Sequence, residues 1–68
     1  MRLSARNQLQ GTVRSINRGA AIANVELDVA GQRVVASITV EAVEGLGLQE
    51  GDEVTAVIKA SDVMIGKD

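Results

Sequence analysis

Ala20-Ala21-Ile22-Ala23-Asn24-Val25-Glu26-Leu27-Asp28-Val29 alternates with a period of two. Ala21, Ala23, Val25, Leu27 and Val29 fall on one face, and Asn24, Glu26 and Asp28 on the other. That is the pattern of a strand with one face in a core and the other in water. The Ala30-Gly31 pair then turns the chain into a second run, Arg33 to Ile38. This run is richer in β-branched residues, with Val34 and Val35 pointing opposite ways, which predicts a strand covered on both sides.

Working outward, Asn7 to Arg18 is also strand-like, but its parity slips. Leu9 and Val13 share one face while Ile16 lies on the other, so a bulge or sharp bend is expected between them. Gly19 then closes a hairpin onto the Ala20 strand. Beyond Thr39 the period changes. Val40, Val43 and Leu46 recur at helical spacing, Thr39 is placed to cap, and Glu41 and Glu44 favour the positive end of the helix dipole. Gly45 and Gly47 keep this helix short. Gln49-Glu50-Gly51-Asp52 reads as a turn, Glu53 to Lys59 as a strand, Ala60-Ser61-Asp62 as a connector and Val63 to Ile65 as a last strand. The expected class is all-β: a five-stranded barrel of the oligonucleotide/oligosaccharide type, with one short helix between strands three and four. No repeat, linker or low-complexity tract divides it, so residues 1–68 are expected to form one domain.

Composition narrows the function. There is no Cys and no His, so disulfides, thiolate metal sites, imidazole ligands and the commonest general base are all absent. Hydrolytic chemistry would have to rest on Ser4, Ser61, Lys59 and scattered carboxylates, and no enzyme is expected. The net charge of −2 argues against nucleic-acid or anionic-membrane partners. Small barrels that bind single strands use aromatic platforms, and this chain has no Phe, Tyr or Trp. No signal stretch opens the chain and no apolar run is long enough to span a bilayer, so a cytoplasmic location is expected. Its apolar residues are mostly Ala and Val, which bury little area each, whereas ordering a residue costs roughly 1.5 kcal/mol. A chain this small therefore needs further burial against copies of itself, and an oligomer is expected.

Two segments concentrate hydrogen-bond donors. Ser4-Ala5-Arg6-Asn7 offers a hydroxyl, a guanidinium fork and loop N–H groups within four residues, which suits a tetrahedral oxyanion. Lys59-Ala60-Ser61 offers a cation at a strand end followed by a hydroxyl. Residue chemistry alone favours plainer roles: a turn bond for Ser4, a solvated surface for Arg6, edge protection for Lys59.

The surrounding motifs point further. Ser-Ala-Arg-Asn-Gln at Ser4–Gln8, followed by Gly11 and Val13, resembles the opening motif of the molbindins and the related molybdate-binding (TOBE) domains. Gly-Asp-Glu-Val-Thr-Ala-Val-Ile-Lys-Ala-Ser-Asp-Val-Met-Ile at Gly51–Ile65 resembles the closing motif, and Leu46-Gly47-Leu48 keeps the spacing before the turn. One copy of the pattern beginning at Met1 resembles the stand-alone form. The resemblance implies binding of molybdate or tungstate for molybdenum storage or homeostasis, with no other cofactor and no metal atom bound directly by the protein. It also implies a hexamer, a trimer of dimers, with oxyanion sites between subunits. Carried over by position, Ser4 and Arg6 supply hydroxyl, backbone or side-chain donors, Ala5 and Asn7 act through the backbone, and Lys59 supplies the cation beside Ser61. The helix start near Ala42 and Val43 adds backbone N–H groups from a neighbouring subunit. Some family members carry Ser where this chain has Ala42. Glu41 and Glu44 are expected to point into water, since a carboxylate close to a dianion is strongly unfavourable. The alternative is an assembly module with a vestigial anion site.

Overall fold

The computed structural model describes residues 1–68. Four strands form one antiparallel sheet: β1 (Asn7–Arg18), β2 (Ile22–Val29), β3 (Gln32–Thr39) and β4 (Glu53–Ile58). A short helix, α1 (Val40–Leu46), joins β3 to β4, and a single 3-10 turn (Ala60–Asp62) follows β4. The spatial order is β3-β2-β1-β4, the mostly β, OB-like arrangement expected from the order of elements.

β1 organises the sheet because it serves two partners. Asn7 to Thr12 pairs with Ile58 to Glu53, and Thr12 to Arg18 pairs with Asp28 to Ala23. The change of partner coincides with a register shift between Val13 and Ser15, so Arg14 is the extra residue of a bulge. That bulge resolves the parity slip seen in the sequence: Val13 and Ile16 both reach the core. Val13 also donates to Asp52 O at 2.8 Å and accepts from Gly51 N at 2.8 Å, which ties the bend to the turn before β4. Gly11 lies where β2 crosses closely over β1. A Cβ there would stand 2.9 Å from Val29 Cγ2 and 3.0 Å from Asp28 O.

The alternation in β2 is as read: Ala23, Val25 and Leu27 are buried, and with Val13 and Val43 they make up the whole buried core. β2 turns into β3 through Ala30 and Gly31, whose φ values of 50° and 85° are those of a tight hairpin turn of the primed kind. Asp28 Oδ1 accepts from Gly31 N at 3.0 Å. The helix has the predicted cap, with Thr39 Oγ1 accepting from Ala42 N at 3.0 Å. It ends at Gly47 in the left-handed region, φ 62°, whose N–H bonds Glu44 O. Val43 is the residue that α1 inserts into the core, against β2 and β3.

Two expectations are corrected. Val63–Ile65 does not form a fifth strand in the chain by itself: after the 3-10 turn it leaves the sheet, and Met64 and Ile65 are 91% and 90% exposed. β3 is covered on one face only, with Val34, Ala36 and Ile38 against the core and Val35 and Ser37 exposed. The reasons differ: the 3-10 turn carries the tail away from the sheet, and only one face of β3 meets the core. With no strand between β3 and β4, nothing in the same chain covers their outer edges. No helix is long and apolar enough to cross a membrane.

Gly11→Ala is expected to lower stability by about 1–3 kcal/mol, because the added methyl meets backbone at Asp28. Ala30→Asn is expected to raise it by about 0.5–1 kcal/mol, since Asn tolerates a positive φ that Ala resists. Urea unfolding of the two variants beside the parent chain checks both signs.

Candidate oxyanion site

The antiparallel pairing of β1 with β4 sets Asn7 opposite Ile58, so segments fifty-one residues apart in sequence meet at one corner. Asn7 Nδ2 donates to Ile58 O at 3.2 Å from a partly buried position and locks that joint. The Ser4–Asn7 loop enters the corner from one side, and the Lys59–Ser61 turn leaves it on the other. The structure thus brings together the two donor segments that the sequence singled out.

The loop before β1 is held by its own side chains. Arg6 folds back, with Nε donating to Ser4 O at 2.9 Å and one terminal nitrogen to Leu3 O at 3.2 Å. Gln8 Nε2 donates to Ala5 O at 3.0 Å. A guanidinium has five N–H donors, so three remain after these two bonds. Beyond β4, Asp62 N donates to Lys59 O at 2.9 Å and Val63 N to Ala60 O at 3.3 Å, which close the 3-10 turn. Ser4, Arg6, Lys59 and Ser61 are exposed, while Ala5 and Asn7 are partly covered.

Electrostatics favour an anion here. The chain forms two ion pairs, Arg14–Asp28 at 3.2 Å and Arg33–Glu26, both across strands and away from this corner. Neither Arg6 nor Lys59 is neutralised by a carboxylate, so both cations stay available. Asp62 is the one acidic residue in the turn, and it is exposed without pairing to Lys59.

Ala42 and Val43 lie elsewhere in the chain. The helix start follows Thr39, which pairs with Ile22, and Val40 N donates to Ala21 O at 2.8 Å. That places it near the Arg18 end of the twelve-residue β1, whereas the corner is at the Asn7 end. The expected backbone donors there are also restricted. The Ala42 N–H is already spent on Thr39 Oγ1, and Val43 is wholly buried. Glu41 and Glu44 are exposed, as expected. Reading the sequence assigned Asn7 a backbone role and missed its side-chain clamp. An Asn opening a strand was the available signal, but its partner 51 positions away was not visible.

A donor-rich loop and a cation-bearing turn meet at one end of a small β sheet. The TOBE domain family matches residues 3–65, and the chain belongs to that family. Within it the chain is a molbindin. It is 48% identical over 66 residues to molybdenum-pterin-binding protein 3 of Clostridium pasteurianum, covering 96% of this chain and 97% of that protein. A molybdate-binding protein from Sporomusa ovata shares the fold with a TM-score of 0.95 and 40% identity, over 98% of this chain and all of that one. The cytoplasmic molybdate-binding protein ModG, solved with molybdate bound, matches at TM-score 0.89 and 49% identity, over 94% of this chain and 46% of its own.

Asn7→Ala is expected to cost about 0.5–1.5 kcal/mol by freeing a partly buried carbonyl at Ile58. Hydrogen exchange should report the loss first at the Asn7 end of β1, before the Arg18 end.

Proposed function

We propose that this chain binds molybdate or tungstate at the corner formed by Ser4–Asn7 and Lys59–Ser61, and serves intracellular storage or homeostasis of molybdenum. The observation that carries this reading is the convergence of two donor segments with both of their cations unpaired. Relatives of matching length and shape named for binding molybdate or molybdenum-pterin support it.

The chemistry is that of a donor-only site. Ser4 and Ser61 offer hydroxyls, Arg6 its remaining N–H groups, Lys59 an ammonium, and Ala5 and Asn7 backbone N–H. Molybdate and tungstate are fully deprotonated at neutral pH and accept hydrogen bonds on every side. Hydrogen phosphate carries a proton that would need an acceptor. The protein touches only oxygens, so no side chain coordinates the metal and no further cofactor is required. No reaction is assigned; the relatives are named as binding proteins. The location proposed is the cytoplasm, where the related ModG is placed.

The assembly proposed is a hexamer, a trimer of dimers, with sites between subunits. A site on one chain is open to solvent, and a neighbouring copy would close it by bringing up its helix start. Ala42 would border the anion there with a small side chain, and Val43 would support it from the core behind. A Ser at position 42 would add a hydroxyl that this chain lacks. One observation favours the second reading, an assembly module with a vestigial anion site: Arg6 spends two N–H groups on its own loop. The readings separate on thermal stability, because molybdate at a hundred times its dissociation constant adds about 2.7 kcal/mol per site to a true binder.

Lys59→Ala and Arg6→Ala are expected to weaken molybdate binding by about 2–5 kcal/mol each, the usual loss for a charged donor to a dehydrated anion. Arg33→Ala should leave affinity nearly unchanged. Titration calorimetry of the three variants checks this, and equal losses at Lys59 and Arg33 would contradict the assignment.

A further inference from the structure

The Ser4–Gln8 motif ends on a residue to which the proposed site gives no task. Gln8 lies in the first turn of residues of β1 with its side chain exposed. Its amide nevertheless turns back along the chain, with Nε2 donating to Ala5 O at 3.0 Å. Gln10, two residues on and on the same face of the strand, donates across the sheet instead, to Thr55 Oγ1 at 3.1 Å. Arg6 turns back as Gln8 does, from Nε to Ser4 O at 2.9 Å and from a terminal nitrogen to Leu3 O at 3.2 Å. Three consecutive carbonyls, those of Leu3, Ser4 and Ala5, are thus held by two side chains of one motif.

A trans peptide is planar, and its C=O points opposite to the N–H of the residue that follows. Holding the carbonyls of Leu3, Ser4 and Ala5 therefore also orients the N–H groups of Ser4, Ala5 and Arg6. The first two of these carbonyls meet a single guanidinium, so the N–H groups of Ser4 and Ala5 leave together on the side away from it. None of the three N–H groups donates to an acceptor in the chain. Water satisfies exposed carbonyls about as well as a side chain does, and ordering two long side chains costs entropy. What the bonds add is a fixed direction for the loop.

We infer that Gln8 is a positioning residue of the oxyanion site. Together with the two bonds from Arg6, it draws the loop carbonyls back and presets the N–H groups of Ser4, Ala5 and Arg6 as donors to the anion. Gln8 itself does not touch the anion. Donors fixed before the ligand arrives spare the cost of ordering the loop on binding. The inference rests on the site proposed above, and it gives the two N–H groups that Arg6 spends on its own loop a use in binding.

The test compares the full-length parent with Gln8→Met and Gln10→Met. Methionine keeps the length and charge of the side chain and removes the donor, and Gln10→Met loses one surface bond from the same strand face without touching the loop. Calorimetric titration with molybdate should show Gln8→Met weakened about three- to tenfold, the worth of one hydrogen bond. Gln10→Met should stay within about twofold of the parent. In nitrogen-15 spectra of the parent, molybdate should move the amide protons of Ser4, Ala5 and Arg6 downfield, and Gln8→Met should reduce the shift at Arg6 most. The parent's spectrum tests the donors without any variant. Molybdate binding that leaves these three amides unmoved would overturn the inference and spare the site. Parent-like affinity in Gln8→Met, or equal losses in the two variants, would do the same. A parent that binds no molybdate would remove the site and the inference together.

Discussion

The antiparallel ladder between Asn7–Thr12 and Glu53–Ile58 is the constraint on which the rest depends. It fixes where the two ends of the chain lie relative to one another, and the donors of the proposed site flank it on both sides. β1 can make this ladder and still pair with β2 only because the Arg14 bulge lets the strand turn out of one pairing and into the other. Gly11 permits the close crossing at the same place. Loop chemistry, bulge and glycine thus form one mechanical unit, with Asn7 closing it at the far end.

The unit buries few of its own side chains. Ala23, Val25 and Leu27 supply small or medium side chains, and α1 contributes Val43 alone to the buried set. Further apolar residues are exposed on every element, among them Leu9, Ile22, Val35, Leu46 and Val57, and at both ends of the chain. These exposed side chains are the surface that the proposed assembly would cover. The absence of aromatics fits this economy, since a core only one thin layer deep has no room for large rings.

Much of this was legible because it depends on local rules. Period-two alternation located β2, the parity slip between Leu9 and Ile16 located the bulge, and Thr39 with the spacing of Val40, Val43 and Leu46 located the capped helix. What failed depended on partners that sequence does not name. Val63–Ile65 has strand composition, but pairing needs an edge to pair with, and the chain turns it away from its own. Val34 and Val35 suggested cover on both faces, which one chain does not provide. The two donor segments were each visible. Their meeting was fixed by strand register, a long-range property that only motif resemblance anticipated.

Copies of this chain are proposed to hold a tetrahedral metal oxyanion together. Native mass spectrometry of the purified protein, with molybdate and with sulfate, tests it most directly. The expected result is a hexamer that gains several molybdate masses and no sulfate. A hexamer that stays bare would reduce the protein to an assembly module, and a bare monomer would rule out both the assembly and the binding.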